Sequence, residues 1–520
     1  MRDILIDHLS GARSRRVLLA SAGMLALAST GAQAQLVGGD LIISSSTFQP
    51  NVGQAASLTA GQNFSVGGVL IGKALAGDGN LGVFTNSKPD GNFGITSPLT
   101  LTSQNPITRA VDGTLQLTPG QIVTSFSSKS EGSLYLSQNG QSVTIVGYDV
   151  TGTNPVGALD VSNSSTTANT VAAGVTAGNS AITDNRVIAQ IGLDAARGGT
   201  SPVQTTTFNA YSGNNGRGAI LYNGTYYAVG NGNLGNTGVE AVTPGHNAGT
   251  TVTSPPNATQ IGAYNITQNG YAPDKTLKDS NFRGETIFDG TLYVTKGSGS
   301  NGIDTVYQVG ATGALNHGGS LPANAPITIL PGFSTSLAKT TADFTPFGLW
   351  FANAHTLYVA DEGTGDAADV GVGSHAGLEK WSLEGNTWVL DYTLQTGLVG
   401  TTQSYTAPGF TGTVTEEGLR DITGEVNANG TVTIWGVSST TDNITNMDNG
   451  ADPNEIVSIT DKLGALSLPA SESFTVTDGP VLDNVYRGVV LTPAPEPASL
   501  ALFGAGLAGL GLVRRRRQGK

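Results

Sequence analysis

From about residue 130 to residue 490, short runs of alternating apolar and polar residues recur between gaps rich in Gly, Asn, Ser and Thr. Such alternation reads as strands buried on one face. Six times a charged or aromatic residue precedes a glycine and an apolar stretch follows: "EGSLYL" at Gly132, "RGAILY" at Gly218, "RGETIF" at Gly284, "FGLWFA" at Gly348, "EGLRDI" at Gly418 and "RGVVLT" at Gly488. These glycines stand 64 to 86 residues apart. A turn signal then follows: Asn139-Gly140, Asn223-Gly224, Asp289-Gly290, "NAH" at 353–355 and Asn429-Gly430. Asx-Gly pairs supply the positive φ angles of two-residue hairpins. A second strand comes next in each unit ("SVTIVGY", "TYYAVG", "TLYVTK", "TLYVAD", "TVTIWG"), and room remains for a third and a fourth. "RVIAQIGL", "GVEAVT", "DTVYQVG", "GLEKWSL" and "NEIVSIT" read as third strands. "QTTTFNAY", "TQIGAYNI", "PITILPG", "TWVLDYTL" and "ESFTVTDG" read as fourth strands. "TAPGFTGTVTEEGL", 406–419, reads as a loop between units.

Four strands per unit, repeated at a regular interval, predict an all-β fold of the β-propeller class. The ends of the pattern are incomplete. "YRGVVLTP" offers one strand before the repeat stops, and "GDLIISSST", from Gly39, offers a second strand without a first. Pairing the two closes a ring and removes two exposed edges. The expectation is six four-stranded blades, five complete and one composite. Residues 39–131 are long for part of one blade and carry "GVFTNS", "PLTLTSQ" and "TLQLTP", which would make seven the alternative. A sandwich or solenoid with accidental periodicity would not explain the incomplete ends.

The termini change the picture. Arg13, Arg15 and Arg16 precede the apolar run Val17–Thr30, and Ala32-Gln33-Ala34 fits the small-residue cleavage rule. Residues 1–34 therefore read as a signal peptide. "SRRVLL", Ser14 to Leu19, fits twin-arginine export as well as the general route. At the other end stand Pro495-Glu496-Pro497, an apolar small-residue stretch from Ala498 to Val513, and Arg514, Arg515, Arg516 and Arg517. The stretch falls slightly short of the ~20 residues that span a bilayer comfortably, and the arginines favour the cytoplasmic side. The expected organisation is a signal peptide (1–34), a propeller-like body (35–493) and a sorting or anchor segment (494–520) with a C-terminal hydrophobic helix.

In order and position, Pro-Glu-Pro, hydrophobic run and arginine cluster resemble the PEP-CTERM sorting signal of Gram-negative bacteria. The resemblance covers about the last 27 residues. It implies recognition by an exosortase, with cleavage near Pro495-Glu496-Pro497 and a membrane-anchored precursor held through 498–513. It speaks of address and processing and is silent on the activity of the body.

Composition narrows the chemistry. The chain has 520 residues, 73 glycines, no cysteine and a net charge of −13. Removing the two termini takes away nine basic residues but only three acidic ones, so the body is more acidic still. That charge argues against nucleic-acid binding. Without cysteine there is no thiol nucleophile, no thiolate metal site and no disulfide. The histidines, His8, His246, His317, His355 and His375, lack close metal-ligand spacing. Two G-x-G-x-x-G matches, at Gly230–Gly235 and Gly297–Gly302, follow strands but open no helix, so they read as turns.

Two constellations remain. The residues before the strand-entry glycines are Glu131, Arg217, Arg283, Phe347, Glu417 and Arg487. A propeller would gather them at one mouth of its axis. The charged ones are ligand-binding candidates there, with inter-blade pairing as the competing role. Two acidic loops carry Asp361, Glu362, Asp366 and Asp369, and Asp442, Asp448, Asp452 and Glu455. Oxygen-rich loops suit Ca²⁺, although no strict EF-hand spacing exists. The resulting expectation is an exported, envelope-associated binding or scaffold protein acting in the extracellular polysaccharide matrix. The alternative is a Ca²⁺-assisted propeller hydrolase acting on a lactone, phosphate ester or glycan.

Overall fold

The computed structural model describes residues 35–48, 96–149, 185–193, 201–231, 238–245, 258–260, 280–297, 301–339, 344–371, 375–441 and 450–494, apart from short gaps within them, together with isolated strands in 63–94 and 159–160. These residues belong to one compact unit, Gln33–Lys520. The signal peptide with Ala32 and Ala34, the tail with Pro495, Glu496, Pro497 and Arg514–Arg517, and the loop residues Asp369, Asp442 and Asp448 lie outside the described residues.

The fold is all-β and propeller-like, and four blades stand as separate sheets. Each is a meander of consecutive antiparallel strands. The first comprises Gly216–Tyr222, Thr225–Gly230, Val239–Val242 and Ala258–Gln260. The second comprises Phe282–Phe288, Thr291–Lys296, Thr305–Val309 and Ile327–Ile329. The third comprises Pro346–Asn353, Thr356–Asp361, Gly377–Glu384 and Thr387–Leu394. The fourth comprises Phe410–Val426, Thr431–Thr440, Ile456–Lys462 and Thr475–Asp478, with Thr402–Ala407 added at its front. Two of the four Asx-Gly pairs turn as expected: Asn223 and Gly224 have φ of 49° and 74°, and Asp289 and Gly290 have 45° and 66°, whereas at Asn139-Gly140 and Asn429-Gly430 only the glycine takes positive φ, 67° and 81°. Both central residues of the expected two-residue turn take positive φ.

Of the remaining strands, nine form one sheet, and three two-stranded pairs stand apart from it: Asn63–Val66 with Val69–Lys73, Leu75–Gly77 with Asn80–Thr85, and Phe93–Gly94 with Leu159–Asp160. The path of the nine-stranded sheet runs Val203–Phe208, Asn185–Gly192, Ser142–Asp149, Val123–Ser125, Thr96–Gln104, Leu41–Thr47 and Asn484–Leu491. Tyr135–Leu136 flanks Ser142–Asp149, and Val111–Gln116 flanks Thr96–Gln104. At one end of this path the two ends of the body meet. Leu41–Thr47 lies antiparallel to Asn484–Leu491, from Leu41 opposite Leu491 to Thr47 opposite Asn484. The seam is strengthened by Thr492, whose N–H and hydroxyl both donate to the Asp40 carbonyl, at 3.0 and 2.8 Å.

Apolar packing links each sheet to the next. Tyr227 and Val229 of the first meander pack with Phe282 and Leu292 of the second. Val306 packs with Leu349 and Leu357 of the third, and Tyr358 and Leu378 pack with Leu419 and Ile434 of the fourth. Trp435 and Val437 then meet Leu41, Ile43 and Val489 of the closing pair. Within the nine-stranded sheet, Ile42 and Val490 face the other way, toward Leu134, Val143 and Ile145. Val146 and Phe208 return the circuit to Ala219 and Tyr226 of the first meander. Strands buried on both faces need apolar residues at odd and even positions alike, as "LII" at 41–43 supplies.

Strand-entry glycines mark where these sheets crowd together. A Cβ on Gly284 would fall 2.1 Å from the Phe347 carbonyl oxygen, and one on Gly488 would fall 2.5 Å from the Leu134 nitrogen. Any side chain there would push adjacent innermost strands apart.

Residues 406–419 differ from the expected loop. Thr402–Ala407 and Phe410–Val426 form a hairpin, with Thr402 opposite Thr415 and Tyr405 opposite Gly412. The Thr, Val, Tyr and Phe content of 402–415 favours an extended pair.

Closure is testable at Val489, which is 1% exposed and packs on Trp435 and Val437. Val489→Asp buries an unpaired carboxylate and is expected to cost about 3 kcal/mol or more. Thermal unfolding of the exported protein should show a marked drop in Tm; an unchanged melt would mean that this strand does not close the body.

Candidate functional site at the axis

The innermost strands of the sheets carry both the charged entry residues and the walls of a cavity. Along the chain each entry residue precedes the cavity-lining residues of its segment. Glu131 accepts hydrogen bonds from the Thr124 hydroxyl at 2.7 Å, the Ser125 N–H at 3.1 Å, the Asn215 amide at 2.7 Å and the Tyr148 hydroxyl. Arg217 donates to Ser130 Oγ at 2.7 Å, to the Phe282 carbonyl at 2.6 Å and to Asn281. Arg283 pairs with Glu362 and lies over the Phe347 ring, 5.4 Å from its centroid. Glu362 also accepts from Arg420 Nε at 3.3 Å. Glu417 accepts from the Gly365 N–H at 2.8 Å. Arg487 donates to Ser46 Oγ at 2.7 Å, the Gly450 carbonyl at 3.1 Å and the carbonyls of Phe126 and Ser128.

All of these entry residues are buried. The structure brings Arg283, Glu362 and Arg420 together, joining three consecutive meanders from 282 to 426. Arg217 feels the charges of Arg283, Glu362 and Glu131, and burial together with the Arg283 charge lowers its pKa to about 9. Opposite charge holds Glu362 below its ordinary range against the cost of burial, with Arg283 contributing most. Glu417, without an arginine partner at bonding distance, is raised to about 7 by burial. Arg487 stands apart from this group, on the closing seam.

Of the acidic loops, the described carboxyls are Asp361, Glu362, Asp366, Asp452 and Glu455. Asp361 accepts from the Thr345 N–H at 2.7 Å and the Gly363 N–H at 2.9 Å, and burial raises it to about 7. Asp366 is exposed and caps the Ala368 N–H at 2.9 Å. Asp452 accepts from the Thr440 hydroxyl at 3.3 Å. Glu455 is buried and raised to about 7. Among the described residues, no group of three or more acidic or histidine side chains is placed to hold a metal ion. His375 Nδ1 stands 2.5 Å from Glu379 Oε1; His8 and His246 lie outside the described residues.

Two to seven residues beyond the entry positions, the innermost strands enclose a cavity of about 400 Å³. Its walls come from 134–138, 220–222, 285–287, 349–350, 421–424 and 489–491. Exposure grows along each strand: Leu134, Ile220 and Leu349 are buried, whereas Leu136, Tyr222, Ile287, Trp350 and Leu491 are partly exposed. The cavity therefore opens at the end where the first hairpins turn, and the charged entry residues fill the other end.

Inside it stand three polar groups from different strands. Asp421 accepts from the N–H groups of Leu134 at 3.2 Å, Val489 at 3.1 Å and Ile422 at 3.1 Å, and burial raises it to about 7. Glu285 is 2% exposed, and neither carboxyl oxygen has a hydrogen-bond partner. Burial alone drives it well above the carboxylate range. The Tyr135 hydroxyl is raised by burial and by the charges of Asp421 and Glu285. Gly218 makes room for two of the three: a Cβ there would fall 2.4 Å from the Tyr135 ring and 2.8 Å from Glu285 Oε1. Tyr135, Glu285 and Asp421 were all inside the entry motifs "EGSLYL", "RGETIF" and "EGLRDI", but alternation alone places a charged strand residue toward water.

The tail at residues 493–517 matches the PEP-CTERM protein-sorting motif. That motif implies an exported protein with a membrane-anchored precursor in Gram-negative bacteria, recognised by an exosortase. No curated protein matches the chain in sequence. Among solved structures, a mutant of the Synechocystis apocarotenoid oxygenase is similar at 9% identity and a TM-score of 0.28, covering 56% of this chain. The chain spans 61% of the length of that oxygenase. The N-terminal domain of Nup159 is similar at 9% identity and a TM-score of 0.26, covering 70% of this chain and 92% of its own. Among the described residues no helix is long and apolar enough to cross a membrane; the hydrophobic helix expected over 498–513 lies outside them.

Two predictions follow from the buried charges. Glu362→Gln leaves Arg283 and Arg420 without their carboxylate and is expected to cost about 3–5 kcal/mol; an unchanged denaturation midpoint would remove the triad from the account. Burial raises Glu240, on the strand Val239–Val242 of the first meander, to about 8, and Glu417, Asp421 and Glu455 to about 7. A raised carboxyl contributes stability that is complete below its unfolded pKa and is lost as pH rises through its folded pKa. Glu362, held low, works oppositely, but its contribution is lost only in acid below the ordinary carboxylate range. Tm should therefore fall between pH 5 and pH 8, whereas a flat or rising profile would mean that these carboxyls are solvated.

Proposed function

We propose that the body is a six-bladed propeller, exported and processed by an exosortase, that binds or scaffolds components of the extracellular polysaccharide matrix. The nine-stranded sheet supports the count of six. It contains two sets of four strands, Asn484–Leu491 with Leu41–Thr47, Thr96–Gln104 and Val111–Gln116, and Tyr135–Leu136 with Ser142–Asp149, Asn185–Gly192 and Val203–Phe208. Val123–Ser125 bridges them. In this reading "PLTLTSQ" and "TLQLTP" complete the composite blade, and no seventh is needed.

One observation carries the proposal. The closing strand ends at Leu491, and the sorting motif begins at residue 493. Cleavage near Pro495-Glu496-Pro497 then removes the tail while the seam between 41–47 and 484–491 stays intact. The tail is an address appended to a body that is finished without it. The buried entry residues Glu131, Arg217, Arg283, Glu417 and Arg487 serve this body by joining neighbouring blades, and recognition belongs to the opposite, open end of the axis.

Mass spectrometry of the protein recovered from the envelope and medium tests the processing. In a host with an exosortase, the mature chain should begin near Gln35 and end within 493–500. A host lacking the exosortase should retain the tail and leave the protein in the membrane fraction. Co-sedimentation of the processed protein with the host's own matrix polysaccharide tests the second part; protein that stays in the supernatant while correctly processed would rule out the matrix role and leave the sorting intact.

A further inference from the structure

The axial cavity combines features that select one kind of guest. Its buried end holds Glu285 and Asp421 from two different meanders and the Tyr135 hydroxyl from the nine-stranded sheet. Its walls mix apolar side chains, Ile220, Leu349 and Val489 among them, with the polar Ser137, Thr286 and Thr423, and Trp350 stands at the wider end. Among the described residues lining it there is no lysine, arginine or histidine. Glu285 is the odd feature. A buried carboxyl with both oxygens unpartnered costs several kcal/mol unless something pairs with it or a proton neutralises it. Every other polar group at this depth is provided for: Asp421 has three backbone donors, and the Tyr135 hydroxyl is met by the Glu285 backbone.

We infer that the cavity is a binding site for a small organic cation, an ammonium group on an apolar body, with Glu285 and Asp421 as its counter-charges. The ammonium supplies the donors that Glu285 lacks. Its carbon body replaces water against Ile220, Leu349 and Val489 and points toward Trp350 at the wider end. A divalent metal fits less well, because Ca²⁺ takes six to eight oxygen ligands and, among the described residues, no group of three or more acidic or histidine side chains is placed to hold one. The site is independent of the sorting and matrix readings, since it rests on the innermost strands alone.

The test is a thermal-shift titration of the processed protein with n-butylammonium chloride, beside n-butanol, sodium chloride and calcium chloride at matched ionic strength. Butylammonium should raise Tm saturably and the other three should not. Glu285→Gln, which keeps the shape of the side chain, should weaken the apparent affinity about tenfold or more, the loss of one charge interaction of about 1.4 kcal/mol. Ile287→Trp, at the partly exposed end, leaves both carboxyls in place and should abolish the shift by filling the entrance. That second variant keeps the proposal falsifiable if Glu285→Gln does not fold. Equal stabilisation by butanol would make the cavity merely apolar, and stabilisation by calcium alone would make it a metal site. A butylammonium shift that survives both substitutions, or none at all in the wild type, overturns the inference.

Discussion

The antiparallel seam between Leu41–Thr47 and Asn484–Leu491 is the constraint on which the rest of the structure depends. It joins residues more than 430 positions apart, so its formation must overcome the loop-closure entropy of nearly the whole body. The return comes from two sides at once. Ile42 and Val490 pack toward Leu134 and Val143, while Leu41, Ile43 and Val489 pack toward Trp435 and Val437. Without that pair the fourth meander and the nine-stranded sheet would each expose an apolar face and an unpaired edge. Cysteine plays no part, so noncovalent packing and ladder hydrogen bonds must hold the circuit closed.

Closure also creates the electrostatic problem that the axis solves. Bringing the innermost strands together buries Arg217, Arg283, Glu362, Glu417 and Arg420 within a small volume. Isolated charges there would be prohibitive. The arrangement offsets the cost by sharing: one glutamate, Glu362, answers two arginines, and Arg217 is met by a carbonyl and side-chain oxygens. Buried ion pairs of this kind rarely add net stability over apolar packing. Their use here is geometric. Each bond joins one sheet to another, so the charges fix the spacing of strands that apolar contacts alone would leave free to slide.

Much of the architecture was legible because a propeller repeats its local chemistry. The glycine at Gly284 is required by the Phe347 carbonyl 2.1 Å away from a would-be Cβ, and equivalent crowding recurs at the other entries. The Asn223-Gly224 and Asp289-Gly290 pairs declare their hairpins through φ alone. The incomplete first and last units were legible for the same reason: a missing strand is visible only against a repeat. Residues 406–419 read as a loop, yet the Thr, Val and Phe of 410–415 pair in register with 402–407, because a β-branched and aromatic run favours the extended ladder. Glu285 and Asp421 were not legible as site residues. Their depth is set by neighbouring sheets, and a strand's own alternation carries no information about what closes over it.

The two ends of the axis therefore differ for a reason rooted in side-chain size. At the entry end, long arginines and glutamates cross from sheet to sheet and fill the space. A few residues along, Gly218 and Gly424 withhold side chains, and the strands carry Leu, Ile and Val that reach only their neighbours. As the walls stop crossing the axis, a cavity of about 400 Å³ is left. Filling it would have needed only larger apolar residues, the commonest outcome in a protein interior. Instead the same strands place two carboxyls and a phenol at its closed end, in surroundings that burial makes costly for each. Stability alone would favour replacing Glu285 by an isosteric apolar residue, because its carboxyl makes no bond within the protein. A group that weakens the fold at the one point where all the innermost strands converge is better understood through what it can bind than through what it holds together.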